Sequence, residues 1–194
     1  MEANQIPTLE TERLRLRAFR RSDLDSYAAL HADPEVMRYM GCGPQPWDLG
    51  RSTRHLAFLV GHWHLEGSGV WALEHRETGV FVGMVGLTEP GAFVGLVATV
   101  EPGSWAGCEL SWKLVRRWWG NGFATEGARA ALAYAFDSLG KDHVISLINP
   151  ENHASIRVAE RLGERLEGRT QLYGREMLRY GTHHQTPSSP SPYT

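Results

Sequence analysis

Apolar residues recur along this chain at two spacings, and the switches between them mark out its elements. Arg13-Leu14-Arg15-Leu16-Arg17 alternates strictly, which predicts a half-buried strand. Ser22 with Asp25 three positions on has the form of a capping box, and Leu24, Tyr27 and Ala28 give the helix behind it an apolar face. Asp33-Pro34 predicts a second, short helix, proline suiting the first helical position. Beyond a glycine- and proline-rich loop over 41–46, Asp48 opens a longer helix. Its Leu56, Leu59, Val60 and Trp63 share a face, and it stops at Gly67. Strands over 70–75 and 80–87 flank Arg76-Glu77-Thr78-Gly79 as a hairpin. The stretch 88–107 is rich in glycine and proline, with room for a short strand around 93–97. Alternation returns over 108–115, with Cys108, Leu110, Trp112 and Leu114 on one face and Glu109, Ser111 and Lys113 on the other. A helix over 123–139, alanine-rich enough to lie close to a sheet, ends at Gly140. A short apolar strand over 143–148, a helix over 154–162 ended by Gly163, and polar strands over 165–169 and 175–180 follow. Strands and helices mixed in this order predict an α/β or α+β layered domain.

Composition and charge then narrow the class. A chain of 194 residues suits one domain, and 42% apolar against 22% charged residues supply an ordinary core and surface. A net charge of −2 offers nothing to draw the protein to nucleic acid or to an anionic membrane. The two cysteines, Cys42 and Cys108, are far apart and lack a CxxC partner, which argues against a disulfide framework or a cysteine-rich zinc module and fits a reducing compartment. No basic segment leads into an apolar run at the N-terminus, and no stretch reaches the ~18 apolar residues of a membrane span. The expected location is therefore the cytoplasm. The expected domain covers 1–182, and 183–194, with three prolines and three serines, reads as a disordered tail. His62 and His64 look like metal ligands, but on a helix they point about 200° apart, so no metal is expected.

The stretch that carries chemistry is a strand, a glycine turn and a helix over 109–139. Gly120 and Gly122 let backbone N–H groups converge, and the helix start behind them adds unsatisfied donors and a positive dipole end. Together these make a pyrophosphate cradle, with Arg117 at its entrance. Phe123 and Ala124 stand where a Walker loop needs lysine and Ser/Thr, and the third glycine of a dinucleotide fingerprint is missing. Taken alone, the turn reads equally well as a helix cap.

Four matches in order extend over 9–163. Arg117-x-x-Gly120-x-Gly122 resembles the R/Q-x-x-G-x-G/A signature of the GNAT acetyltransferases, and Phe123-Ala124-Thr125-Glu126-Gly127-Ala128 is similar to the helix start that follows it there. Asn152-His153-Ala154-Ser155 through Gly163 resembles the family's N-x-x-S helix. Leu9-Glu10-Thr11-Glu12-Arg13-Leu14-Arg15-Leu16-Arg17 is similar to the opening of the RimJ/RimL-like branch, which acetylates ribosomal-protein N-termini. The resemblance implies a mixed, mostly antiparallel central sheet of about six to seven strands, helices on both faces and a splayed central strand pair. That pair would be the strands over 108–115 and 143–148.

The same resemblance implies acetyl-CoA as cosubstrate and a primary amine as acceptor, joined by direct attack. Backbone groups of Trp112, Leu114 and Val115 would hold the pantetheine arm, and Arg117, Gly120, Asn121, Gly122 and Ala124 would surround the pyrophosphate. Asn152 would bond the cofactor near its thiol end. Glu109 is the candidate general base, with a solvated or ion-paired strand residue as the plain alternative. Ser155 is the candidate acid, because Ala159 stands where many members have tyrosine; a serine bonding the helix backbone is the alternative, and Tyr173 and Tyr180 are weaker candidates. Glu126 reads as structural, facing the dipole of its own helix. Trp118-Trp119 reads as packing.

Only a neutral amine attacks. At pH 7 roughly a tenth of a peptide α-amine is neutral, against about 0.04% of a lysine side chain. That favours a protein or peptide N-terminus. A polyamine, amino acid or antibiotic acceptor stays open, as does a silent CoA-binding module, and monomer and homodimer are equally compatible with the chain. The loop over 41–48, the helix after it and the stretch 88–107 are the expected acceptor-binding segments.

Overall fold

The computed structural model describes residues 5–40, 43–88 and 108–184. Eight strands form one sheet in the order β1-β2-β3-β4-β5-β6-β8-β7. They are β1 (Leu9–Glu10), β2 (Leu14–Arg17), β3 (Val70–His75), β4 (Phe81–Thr88), β5 (Cys108–Leu114), β6 (His143–Ile148), β7 (Arg165–Leu172) and β8 (Arg175–His183). All neighbours run antiparallel except β5 and β6. Two-residue β1 is too short to show periodicity, so the sheet exceeds the expected six or seven strands. The hairpin over 70–88 and the strand over 143–148 form where expected. The two polar strands run longer, because each supplies the other's ladder over 165–183. The short strand expected around 93–97 lies outside the described residues, as does the tail from 185 onward.

Helices cover both faces. On one lie α1 (Leu24–Ala32), α2 (Pro34–Met37) and α3 (Leu49–Glu66), with Tyr27, Leu30, Leu56 and Leu59 buried against Val70, Ala72, Phe81 and Met84. On the other lies α4 (Phe123–Asp137), whose fully buried Ala128, Ala131 and Ala135 meet Trp71, Leu73, Val85 and Leu110. The small side chains bring α4 close: a Cβ on Gly127 would stand 3.0 Å from Leu73. Helix α5 (His153–Leu162) packs Ala159 against Ile148, Leu178 and Tyr180. Since β3 and β4 are covered on both sides, they read as nearly unbroken apolar runs.

Caps set the helix starts. Asp33 Oδ1 accepts from Glu35 N at 2.9 Å and Asp48 Oδ1 from Arg51 N at 2.6 Å, while Gly67 closes α3 in the left-handed region. The expected Ser22–Asp25 box does not form. Asp23 takes that place, accepting from Arg20 N and from both terminal nitrogens of Arg17 at 2.7 and 2.8 Å. Arg17 also reaches Glu74 at 2.6 Å, and this triad is buried. The alternation of β2 thus hides a charged end rather than exposing it. Among the described residues no helix is long and apolar enough to cross a membrane.

Candidate active site

Strands β5 and β6 pair at only two positions, Cys108 with Val144 and Glu109 with Ile145. Beyond them the strands part, and five residues of β5 face no β6 ladder. Alternation decides which main-chain groups enter the gap. Val115 N bonds Val82 O, so the odd-numbered residues of β5 turn their N–H and C=O toward β4, and Leu110, Trp112 and Leu114 turn theirs toward β6. The Leu114 carbonyl is taken by Trp119 Nε1 at 2.8 Å and the Leu110 carbonyl by Ser146 Oγ at 3.0 Å. The Trp112 main chain is left facing the opening.

A cleft of about 420 Å³ runs from this fork to the start of α4. Trp112, Leu114, Gly120, Gly122, Ala124, Asn152 and Ser155, all named from the sequence, line it. Gly120 and Gly122 have φ of 77° and 81°, where a side chain is strained, and a Cβ on Gly120 would meet nothing within 4 Å. Gly122 caps α4 without any side-chain bond, and the first helical bond to close is Glu126 N to Gly122 O. The preceding N–H groups therefore aim at the open side, as a diphosphate requires. An open fork, an uncapped helix end and unpaired strand groups fit the arm and pyrophosphate of acetyl-CoA.

The turn is braced from a distance. Glu126 accepts from Thr11 Oγ1 at 2.6 Å, from Arg13 N at 2.8 Å and from Arg13 Nε at 2.7 Å, while Arg13 Nη1 donates to the Asn121 carbonyl at 3.1 Å. Burial would raise the Glu126 carboxyl, but the bonds from Thr11 and Arg13 outweigh it and hold the group below the ordinary carboxylate range. The N-terminal motif and the helix-start motif are thus two halves of one contact.

Other residues named from the sequence have different surroundings. Asn121 and Arg117 stand beside the cleft without lining it. Asn121 Nδ2 donates to Trp119 O at 3.0 Å, and the Arg117 guanidinium lies 5.6 Å from the Trp118 ring. Both main-chain groups of Val115 are used, by Val82 and by Trp118 N. Asn152 caps α5, its Oδ1 accepting from Ser155 N at 3.1 Å, which leaves its amide for the cleft. Ser155 is half-buried. Glu109 occupies the last rung before the fork, 6% exposed, on the face away from α4. Ala159 is fully buried, so its position points into the core and not at the cleft. Tyr180 joins the same cluster, its phenol raised by burial and by the charge of Glu160. Trp118 packs between His75 and Phe123 at 5.6 Å from each, and Trp119 is half-exposed.

Sequence reasoning missed three features. Arg157 and Arg161 line the cleft with Ala154 and Val158, a 154-157-158-161 stripe that helical spacing could have revealed. Lys113, whose strand face looked polar, is buried, with Nζ 2.9 Å from His31 Nε2 and 5.4 Å from the Trp47 ring. His31 is held neutral, driven down to about 2 by burial and then by Lys113, and its Nδ1 donates to Tyr27 O at 2.9 Å. Glu164, just before β7, is also buried and bonded to Ser146 at 3.0 Å. Away from the cleft, His143, Glu167 and His183 bring ligand atoms within 4.8 Å of one another. His143 is bonded to Glu167 at 2.7 Å and stacked on His183.

Known proteins agree with this geometry. Residues 13–165 match the model of the acetyltransferase (GNAT) domain. An uncharacterized N-acetyltransferase of Bacillus licheniformis, p20, is 30% identical over 164 residues, covering 84% of this chain and 85% of its own. The crystal structure of an acetyltransferase from Agrobacterium tumefaciens superposes with a TM-score of 0.76 at 30% identity, covering 92% of this chain and 95% of that one. Mycobacterium smegmatis RimJ, solved with CoA-disulfide, superposes at 0.74 with 17% identity over 97% and 93%, a likeness of fold. The chain belongs to the GNAT family and is an acyl-CoA-dependent N-acetyltransferase.

Proposed function

We propose that this enzyme acetylates the α-amine at the N-terminus of a peptide or protein, as the RimJ/RimL-like branch does, with Glu109 as base and Ser155 as acid. The observation carrying this reading is Glu109, buried at the rung where the fork opens. A carboxylate is a modest base, which suits an amine already about a tenth neutral at pH 7 far better than a lysine side chain. Acetyl-CoA supplies the activated acyl carbon. The Trp112 N–H, aimed into the fork, is the donor for negative charge developing on the thioester oxygen. Glu109 takes a proton from the amine, directly or through water. The Ser155 hydroxyl, one helical turn beyond the cap, returns a proton to the departing thiolate. The Asn152 amide orients the arm, and Arg157 and Arg161 offer charge to its phosphates.

The test is release of free CoA over a panel of N-terminal peptides, polyamines and free amino acids. Peptides beginning with small residues such as alanine or serine are expected to be the best acceptors. Turnover confined to polyamines or amino acids would replace the α-amine reading, and CoA binding without turnover on any acceptor would replace catalysis with a binding role.

A further inference from the structure

We infer that Glu164 and Ser146 form a clasp that sets how far β5 and β6 part, and so position the strand groups that meet the acyl carrier. The consequence for catalysis rests on reading the fork as the acetyl-CoA site; the clasp itself is a property of the chain.

Ser146 is buried on β6, one residue beyond the last rung, and its Oγ lies 3.0 Å from both Leu110 O and Glu164 Oε1. A hydroxyl has one proton to donate. The Leu110 carbonyl can only accept, so the Ser146 proton goes there, and the contact with Glu164 must use a proton carried by Glu164. The carboxyl is therefore a neutral acid. Burial pushes it up to about 8, with help from the charge of Glu167. Among the described residues Glu164 Oε2 has no hydrogen-bond partner, a cost that a neutral acid bears far better than a carboxylate.

The chain of donors, Glu164 to Ser146 to Leu110, ties the start of β7 to β6 and to β5 at the base of the fork. It replaces the rung that a longer parallel ladder would make at the Leu110 carbonyl, two residues before Trp112. Loss of the Glu164 proton would draw the Ser146 hydroxyl to the carboxylate and release that carbonyl. The groups around Glu164 are Glu167 on β7, paired with His143 of β6 and Arg179 of β8, and the Ala159 carbonyl of α5, which accepts the Glu164 N–H. Tyr180 of β8 is the register partner of Ser146 and stands near Glu160 of α5.

Glu164→Gln keeps a donor toward Ser146 and cannot ionise, whereas Glu164→Ala and Ser146→Ala break the chain. Infrared spectra of the ligand-free enzyme are expected to show a protonated carboxyl band at neutral pH that Glu164→Gln deletes. The two alanine variants are expected to raise KM for acetyl-CoA about tenfold, as loss of a buried donor would. Wild type is expected to lose acetyl-CoA affinity above about 8 relative to Glu164→Gln, whose profile lacks that step. Absence of the band, or Glu164→Gln as impaired as Glu164→Ala, would overturn the clasp. So would wild-type binding in Ser146→Ala, which decides the matter if Glu164→Ala fails to fold. A wild type that binds no acetyl-CoA would instead sink the cofactor reading, with the infrared band still deciding the clasp.

Discussion

At the scale of single residues, the site divides into groups that touch the reacting atoms and groups that hold the carrier, and kinetics separates them. In the proposed mechanism Glu109 belongs to the first. Glu109→Gln is expected to lower kcat by at least tenfold, within the ~10²–10⁴ range of a general base, and to leave KM for acetyl-CoA unchanged. Steady-state kinetics with the best peptide acceptor checks this, and an undiminished kcat would remove Glu109 from the chemistry. In the same proposal Arg157 and Arg161 belong to the second group. They line the cleft on one stripe of α5, so alanine at either should raise KM for acetyl-CoA several-fold with little change in kcat. A fall in kcat with KM unchanged would show that the stripe does something other than hold phosphate. Asn152 joins the second group in that proposal, and it also caps α5, because the capping oxygen and the amide left for the cleft are on one side chain.

At the scale of elements, what counts is how the glycine turn is held. Arg13 sits more than a hundred residues from Glu126 and Asn121, yet binds both. Arg13→Ala should loosen the turn, raising KM for acetyl-CoA by about tenfold and speeding proteolysis within the turn over 119–123; unchanged KM would mean that the glycine turn holds itself. Both halves of this brace were visible in the sequence as motifs, but nothing in the sequence said that they meet. The same limit recurs elsewhere. Strands β2 and β5 announce themselves by alternation and α3 by its cap and closing glycine, because those signals are local. The parting of β5 from β6 is a pairing between distant segments, legible only through family resemblance. Burial of Lys113 was not legible either: a polar position on an alternating strand reads as solvated, and the contacts that make it interior, His31 of α1 and Trp47 among them, come from distant segments. The capping error has a similar source, since Asp23 is preferred over the Ser22–Asp25 box because Arg17 is buried beside it.

At the scale of the whole molecule, two buried groups with opposed shifts shape stability against pH. His31 has an ordinary value of 6.5 and about 2 when folded. Below 6.5 the unfolded chain takes up a proton that the native state refuses, so its contribution is intact above that value and is lost as pH falls toward 2. Glu164 has an ordinary value of 4.5 and about 8 when folded. Above 4.5 the unfolded chain releases a proton that the native state keeps, so its contribution is intact below that value and is lost as pH rises through 8. Between 4.5 and 6.5 the two slopes oppose each other, and the unfolding free energy should be nearly flat there. On the alkaline side it should decline up to about 8, at no more than about 1.4 kcal/mol per pH unit. On the acid side, the lowered Glu126 adds to the His31 loss below 4.5. Urea denaturation across this range measures the curve directly. Glu164→Gln should abolish the alkaline decline while leaving the acid side in place, because an amide has no proton to release. His31→Asn should turn the flat region between 4.5 and 6.5 into a net decline with rising pH, since Glu164 would then act there alone. An alkaline decline that survives undiminished in Glu164→Gln would mean that Glu164 is not its source, which would remove the buried neutral acid from the account of the fork.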